Sequence, residues 1–234
     1  LLAGVHTLPE LEPDMQGPAA TLTNIENAFR AVLADGKFPV MLGGEHSITT
    51  APVKAIKEKY GESLSVLQLD AHSDLRDSYE NTPFNHASVM RRVYDLAKLT
   101  QVGIRNTCRD EIEFIRKVGH DGIIWAHEMA DGNMAWVDRV MKRLDKNVYI
   151  TIDLDAFDPS IMPAVGTPEP GGMLWYQTLH LLNRVIDERN VVGFDVVELC
   201  PIPGNIASDF MAAKLVFKML GRVFKKNGWI AGEE

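Results

Sequence analysis

Residues 63–74 read SLSVLQLDAHSD, a run dense in Val and Leu that ends by placing Asp70, His72 and Asp74 at alternate positions. A short apolar run of this kind is the pattern of a buried strand, so the fold has to cover it. The two-residue period sends both carboxylates and the imidazole off the strand end in roughly the same direction. Hard oxygen and borderline nitrogen donors gathered on one point are costly unless a cation neutralises them, so the spacing reads as a set of metal ligands.

Two further stretches repeat the theme. The apolar run 147–152 delivers Asp153 and Asp155 with the same period, and the run 38–42 leads through GGEHS to His46. Together these strand ends supply four Asp and two His. One divalent ion has too few coordination positions to use so many carboxylates well, whereas two ions held about 3.5–4 Å apart can share them. The donors therefore argue for a two-metal hydrolase.

The rest of the chain alternates strand and helix patterns. Amphipathic helices are predicted over residues 18–35 and 47–60, each stopped by a glycine, Gly36 and Gly61. Residues 75–85 read as a loop over the site, 86–97 as a helix with Val89, Val93 and Leu96 inward, and 99–104 as a strand. A helix over 109–118 has an acidic first turn and a basic end, as the helix dipole prefers. Strand 122–126, helix 133–144, a Pro/Gly segment 157–172, helix 175–188, strand 191–199 and helix 208–224 complete the pattern. Such alternation implies an α/β, doubly wound or similarly layered fold with a mainly parallel sheet. In such sheets ligands bind at the carboxyl ends of the strands, where His46, Asp70, His72, Asp74, Asp153, Asp155 and Glu198 all fall.

Composition narrows the setting. The 234 residues are 46% hydrophobic and contain nothing resembling a linker, which suits a single domain over the whole chain. A net charge of −8 argues against a nucleic-acid footprint and suits a cationic substrate. Two cysteines, Cys108 and Cys200, make no disulfide framework, no apolar run approaches the ~20 residues of a membrane span, and the start lacks a basic leader. A cytoplasmic protein is expected. The first residue is not Met, so the chain is expected to begin downstream of its natural start.

GGEHS at 43–47, DAHSD at 70–74 and DLDAFDPS at 153–160, followed by GTPEPGG at 166–172 and FDVVELCP at 194–201, resemble the metal-binding signatures of the ureohydrolases, the arginase and agmatinase family. The likeness runs from about residue 22 onward. It implies a three-layer α/β/α fold with a binuclear Mn²⁺ site, one ion on His46, Asp70, Asp74 and Asp153, the other on His72, Asp70, Asp153 and Asp155. It further implies that water activated between the ions attacks a guanidinium carbon, that His86 supplies the proton to the leaving amine, and that Glu198 binds the guanidinium. Arginase-like members carry a polar carboxylate-binding segment that NTPFNHASVMRR lacks. The likeness is therefore to the agmatinase side: agmatine hydrolysed to putrescine and urea. Arginine, guanidinobutyrate with Arg91 or Arg92 near its carboxylate, and a non-catalytic metal-binding member are the alternatives. The resemblance also implies a homotrimer or homohexamer, and an N-terminal segment of the family missing here.

Several residues have plainer readings. Asp158 precedes Pro159 and reads as a turn former. Asp195 reads either as a residue orienting a ligand or as a partner of backbone donors. His6, His120, His127 and His180 have no companion ligands and read as surface or core fillers, Gly43 and Gly44 as backbone-driven, and Cys200 as a packed thiol.

Overall fold

The computed structural model describes residues 4–230. Its strands are β1 (Val40–Leu42), β2 (Leu64–Leu69), β3 (Lys98–Ile104), β4 (Ile123–Trp125), β5 (Asn147–Asp153) and β6 (Asn190–Val197). Between and around them run helices α1 (Pro18–Ala34), α2 (Thr50–Tyr60), α3 (Val89–Tyr94), α4 (Arg109–Val118), α5 (Ala135–Arg143), α6 (Trp175–Glu188) and α7 (Ala207–Lys226). The six strands form one sheet in the order β1-β6-β5-β2-β3-β4, and every pairing is parallel.

Parallel strands need helical crossovers, and these cover both faces of the sheet. The two-residue period of β2 divides its side chains accordingly. Leu64 and Val66 pack with Leu22, Phe29, Ile56, Val93 and Phe114 from α1 to α4, while Leu67 and Leu69 pack with Val140, Leu181, Leu215 and Val223 from α5 to α7. Three layers result, as expected from the runs of buried strand residues.

Strand order places the site. From β2 the chain steps outward through β3 to β4, whereas β5 returns to the other side of β2 and leads to β6. The crevice beyond the carboxyl ends of β2 and β5 is thus a topological switch point, where connections leave in opposite directions and make room for a ligand. Asp70 follows β2 and Asp153 ends β5 at that crevice.

Some boundaries differ from the sequence pattern. The strand expected over 38–42 pairs only from Val40, at a sheet edge where Pro39 has no N–H to offer. The helix expected over 47–60 starts as a 3-10 turn, His46–Thr49, because Pro52 lies in the first α-turn. The helix expected over 86–97 is a 3-10 turn, His86–Ser88, followed by the short α3. Ahead of it the Asn85 amide donates to the carbonyls of Tyr79 (2.6 Å) and Thr82 (2.8 Å), closing the loop before the helix can extend backward.

Candidate metal centre

His46 reaches the crevice by way of two glycines. Gly43 and Gly44 have φ of 83° and 79°, a conformation favoured by glycine, and a Cβ on Gly44 would stand 2.8 Å from Ile48 Cδ1. The turn that follows is capped by Glu45, which accepts from Ser47 N. His46 is completely buried. Its Nδ1 lies 3.0 Å from Asp70 Oδ2, 3.2 Å from Asp74 Oδ2 and 3.3 Å from Asp153 Oδ2, yet it makes no aligned hydrogen bond to any of them.

A second set adjoins the first through Asp70. His72 Nδ1 is 2.9 Å from Asp155 Oδ2 and 3.6 Å from Asp70 Oδ1. Backbone groups hold the carboxylates in place: His72 N donates to Asp70 Oδ1 (2.6 Å), Ala71 N to Asp155 Oδ1 (3.0 Å) and Asp155 N to Asp153 Oδ1 (2.9 Å). Asp74 is itself unusual, a non-glycine residue at φ 53°. Buried Glu111 ties down both of its neighbours, accepting from Ser73 Oγ and Leu75 N at 2.8 Å each. A sparsely populated conformation of this kind persists only where the surroundings enforce it.

The electrostatics of these residues is that of a set short of positive charge. Burial and the Asp70 charge push Asp74 up to about 8, and burial with Asp70 and Asp155 pushes Asp153 up. Burial and Asp70 likewise raise Asp155. His72 is driven up to about 11, where Asp155 and Asp70 outweigh its burial, and Asp70 stays low, because His46 and His72 outweigh its own. The donor chemistry fits divalent ions: two groups, His46 with Asp70 and Asp74, and His72 with Asp70 and Asp155, each offer converging ligand atoms, with Asp70 common to both. The fully buried Nδ1 of His46 points into the first group with no aligned hydrogen bond. Although burial opposes it, the Asp153, Asp70 and Asp74 carboxylates at 3.0–3.3 Å push the imidazole up, a crowding of acidic groups that a cation in place of its proton would relieve.

Glu198 stands at φ 66° just past β6 and accepts the His46 N–H on Oε1 at 2.8 Å. Burial raises its carboxyl, against the pull of that N–H. His86 is not gathered with the other donors. It lies half exposed, 3.8 Å from Glu45 Oε2, with its ring edge-on to Tyr79.

Comparison with known proteins gives the family. The arginase family model matches residues 3–221. An N(1)-aminopropylagmatine ureohydrolase of Synechocystis is 41% identical over 93% of this chain and 72% of its own length. The chain belongs to the arginase family. An agmatinase of Pyrococcus horikoshii is 35% identical over 92% of this chain and 76% of its own. Among solved structures, the agmatine ureohydrolase of Thermoplasma volcanium superposes with a TM-score of 0.81 at 34% identity, covering 92% of this chain and 73% of that one. The sheet and its helices are thus an arginase-like fold, and the protein is a ureohydrolase, acting on guanidino groups.

Residues outside the donor set complete the site. Asp195, also fully buried, accepts hydroxyls from Thr49 (3.0 Å) and Tyr149 (2.8 Å) on Oδ2 and from Thr151 (2.6 Å) on Oδ1, and Thr151 Oγ1 meets His46 Nε2 at 2.9 Å. It orients a ligand-type histidine, the first of its two sequence readings. Arg105 reaches from the end of β3 to the carbonyls of Asp155 (2.7 Å) and Glu169 (2.8 Å), clamping the GTPEPGG loop onto the DLDAFD turn. Asp158 is the turn residue its position before Pro159 suggests, accepting from Ser160 N, Gly171 N and Gly172 N. His6, His127 and His180 are exposed, whereas His120 is buried and hydrogen-bonded. Cys200 is a correction. It is exposed instead of packed: Leu199 before it packs against the core, the Cys200 N–H donates to the Ala164 carbonyl, and its thiol faces outward.

Proposed function

We propose that this ureohydrolase cleaves agmatine to putrescine and urea at a binuclear manganese centre, with His46, Asp70, Asp74 and Asp153 around one ion and His72, Asp70, Asp153 and Asp155 around the other. The observation that carries the reading is the pair of His/Asp clusters sharing Asp70, with the bare His46 Nδ1 inside one of them. Two bound cations would supply Lewis acidity and lower the pKa of water toward neutrality.

The chain's own residues do the rest. Glu198 keeps acceptor capacity beyond the His46 N–H, and on its Oε2 side Gly166 is so open that even an added Cβ would stand 3.9 Å away. Two coplanar N–H groups of a guanidinium match such a carboxylate. Glu198 would hold the head group with its carbon toward the clusters. His86, at the rim with access to solvent, would hand a proton to the departing amine, which cannot leave as an amide anion. Glu45 Oε2, half exposed, lies 3.8 Å from the His86 Nδ1.

A second reading of the substrate comes from the relatives. Three N(1)-aminopropylagmatine ureohydrolases are 40–41% identical to this chain. The aminopropyl-extended substrate keeps the same guanidinium head and adds a second cationic group to the tail, so the chemistry at Glu198 is unchanged. Urea release from Mn²⁺-loaded protein, measured with agmatine, N1-aminopropylagmatine, arginine and 4-guanidinobutyrate side by side, separates these readings. Higher kcat/KM on agmatine supports the first; a preference for the extended substrate transfers the assignment to the second. Turnover of arginine alone refutes both. The ligand assignment has its own test in Asp153→Asn, which should lose metal and activity together; retained turnover would overturn it. Sedimentation of the loaded protein tests the homotrimer or homohexamer that the family resemblance implies.

A further inference from the structure

Beneath the metal centre lies a line of buried polar side chains that the proposed chemistry leaves unused. Gln68 and Gln101 have no exposed surface, and His120 is 9% exposed. His120 Nε2 lies 3.1 Å from Gln101 Oε1, Gln101 Nε2 donates to Gln68 Oε1 at 2.5 Å, and Gln68 Nε2 donates to Asp70 Oδ2 at 2.6 Å. The line crosses from the turn before β4 through β3 and β2 to the carboxylate shared by both clusters.

Its direction is dictated by its fixed points. Gln68 Nε2 faces a carboxylate and the His72 carbonyl, and Gln101 Nε2 faces the Ser73 carbonyl (2.8 Å) as well as Gln68. Carboxylates and carbonyls only accept, so neither amide can be reversed without setting acceptor against acceptor in the dry interior. Gln101 Oε1 must then receive a proton, and His120 Nε2–H is the donor facing it. The imidazole is therefore held in one tautomer, with its proton on Nε2. Burial, with Arg143 nearby, pushes His120 down to about 4, so it is neutral at pH 7 and carries a single N–H. Room for the ring comes from Gly122, where a Cβ would stand 2.6 Å from His120 Cε1 and 2.5 Å from the Leu99 carbonyl oxygen.

We propose that His120, Gln101 and Gln68 form a one-way hydrogen-bond relay that positions Asp70 for its place between the two clusters. Asp70 is gripped at both oxygens. The His72 N–H holds Oδ1, and the relay holds Oδ2, the oxygen 3.0 Å from His46 Nδ1. With one lone pair on each oxygen engaged from below, the carboxylate plane cannot rotate, and the remaining lone pairs face His46 on one side and His72 on the other. Chained amide donors also polarise one another toward the carboxylate. The three residues are positioning residues, acting through Asp70. The inference rests on the metal-site reading above.

The first measurement is the tautomer of His120 in the wild-type protein, read from imidazole ¹⁵N and ¹³Cδ2 NMR shifts. The Nε2–H form is expected, and an Nδ1–H or mixed population would overturn the relay. The second is Mn²⁺ affinity of the folded protein by competition with a chelator. Removing a partner that orients a ligand typically weakens metal binding 10–100-fold, so Gln101→Leu and His120→Leu should each lose about tenfold. His120→Gln, which offers an amide N–H where Nε2 stood, should stay within about twofold. A purely structural role would lower the melting temperature of the Leu variants while leaving the affinity of the folded molecules at the wild-type value, and that result would overturn the proposal. Where a Leu variant does not fold, His120→Gln and the wild-type tautomer still decide. Wild-type protein that takes up no Mn²⁺ would instead overturn the metal reading on which the relay depends.

Discussion

Replacing Asp195 by Asn keeps its shape and removes its charge, and the structure allows the consequence to be followed to the metal centre. For His46 Nδ1 to present a lone pair among Asp70, Asp74 and Asp153, the ring proton has to sit on Nε2 and be donated to Thr151 Oγ1, 2.9 Å away. Thr151 then gives its own proton to Asp195 Oδ1 at 2.6 Å. An amide at 195 has one acceptor oxygen. If that oxygen stays with Thr49 and Tyr149, the NH₂ faces Thr151, whose hydroxyl must turn to His46 Nε2 or to Thr49 Oγ1 at 3.3 Å. Turning to His46 drives the imidazole proton onto Nδ1, the wrong tautomer for a ligand. The opposite amide orientation strands two hydroxyls instead.

Exchanging charge-assisted acceptors for neutral ones costs about 1 kcal/mol per hydrogen bond. Because burial already pushes the Asp195 carboxyl up, removing the charge recovers part of that loss, and a net destabilisation of about 2 kcal/mol is expected. The tautomer effect is separate, about 10–100-fold in metal affinity, or about 1.4–2.8 kcal/mol. Urea denaturation reads the first quantity and chelator competition on folded protein the second. A folded Asp195→Asn protein that binds metal as tightly as the wild type would refute the reasoning.

Metal uptake by the metal-free protein should release protons, because Asp74, pushed up to about 8, and His72, held protonated up to about 11, must both deprotonate to become ligands. Affinity is thus expected to climb with pH, most steeply below about 8 and then on toward about 11, and a flat profile in chelator titrations would count against these residues as ligands. Arg105→Leu leaves the carbonyls of Asp155 and Glu169 without their donor and should cost about 3 kcal/mol in urea denaturation; an unchanged midpoint would show that the clamp contributes nothing. Gly172→Ala would place a Cβ 2.5 Å from Asp158 N and Phe157 C, so the GTPEPGG loop must shift, at about 1–3 kcal/mol. A wild-type melting temperature in that variant would contradict the close approach.

Much of the candidate site was legible because a set of metal ligands would impose a local signature. Asp70, His72 and Asp74, like Asp153 and Asp155, alternate on strand ends, and hard donors at such spacing are hard to explain otherwise. The partners of those donors have no such signature. Gln68 stands two positions before Asp70, but Gln101 lies on another strand and His120 is separated from Asp70 by fifty positions of sequence, so nothing local marks those two as its neighbours. Cys200 was misjudged for a related reason: nearness in sequence to Glu198 says nothing about which way the chain turns after the strand.

By itself, then, the sequence determined the alternating strand and helix pattern, the burial of β2 and β5, and the set of candidate donors. Those follow from period and composition, which act over a few residues. Only the tertiary structure decided the strand order, the switch point between β2 and β5, and the hydrogen-bond partners that aim each ligand. These depend on which distant segments pack together, and that choice is made by the whole core at once. The division is clearest at Asp70, whose spacing reads as that of a ligand but whose orientation depends on side chains from β2 itself, from β3 and from the turn before β4.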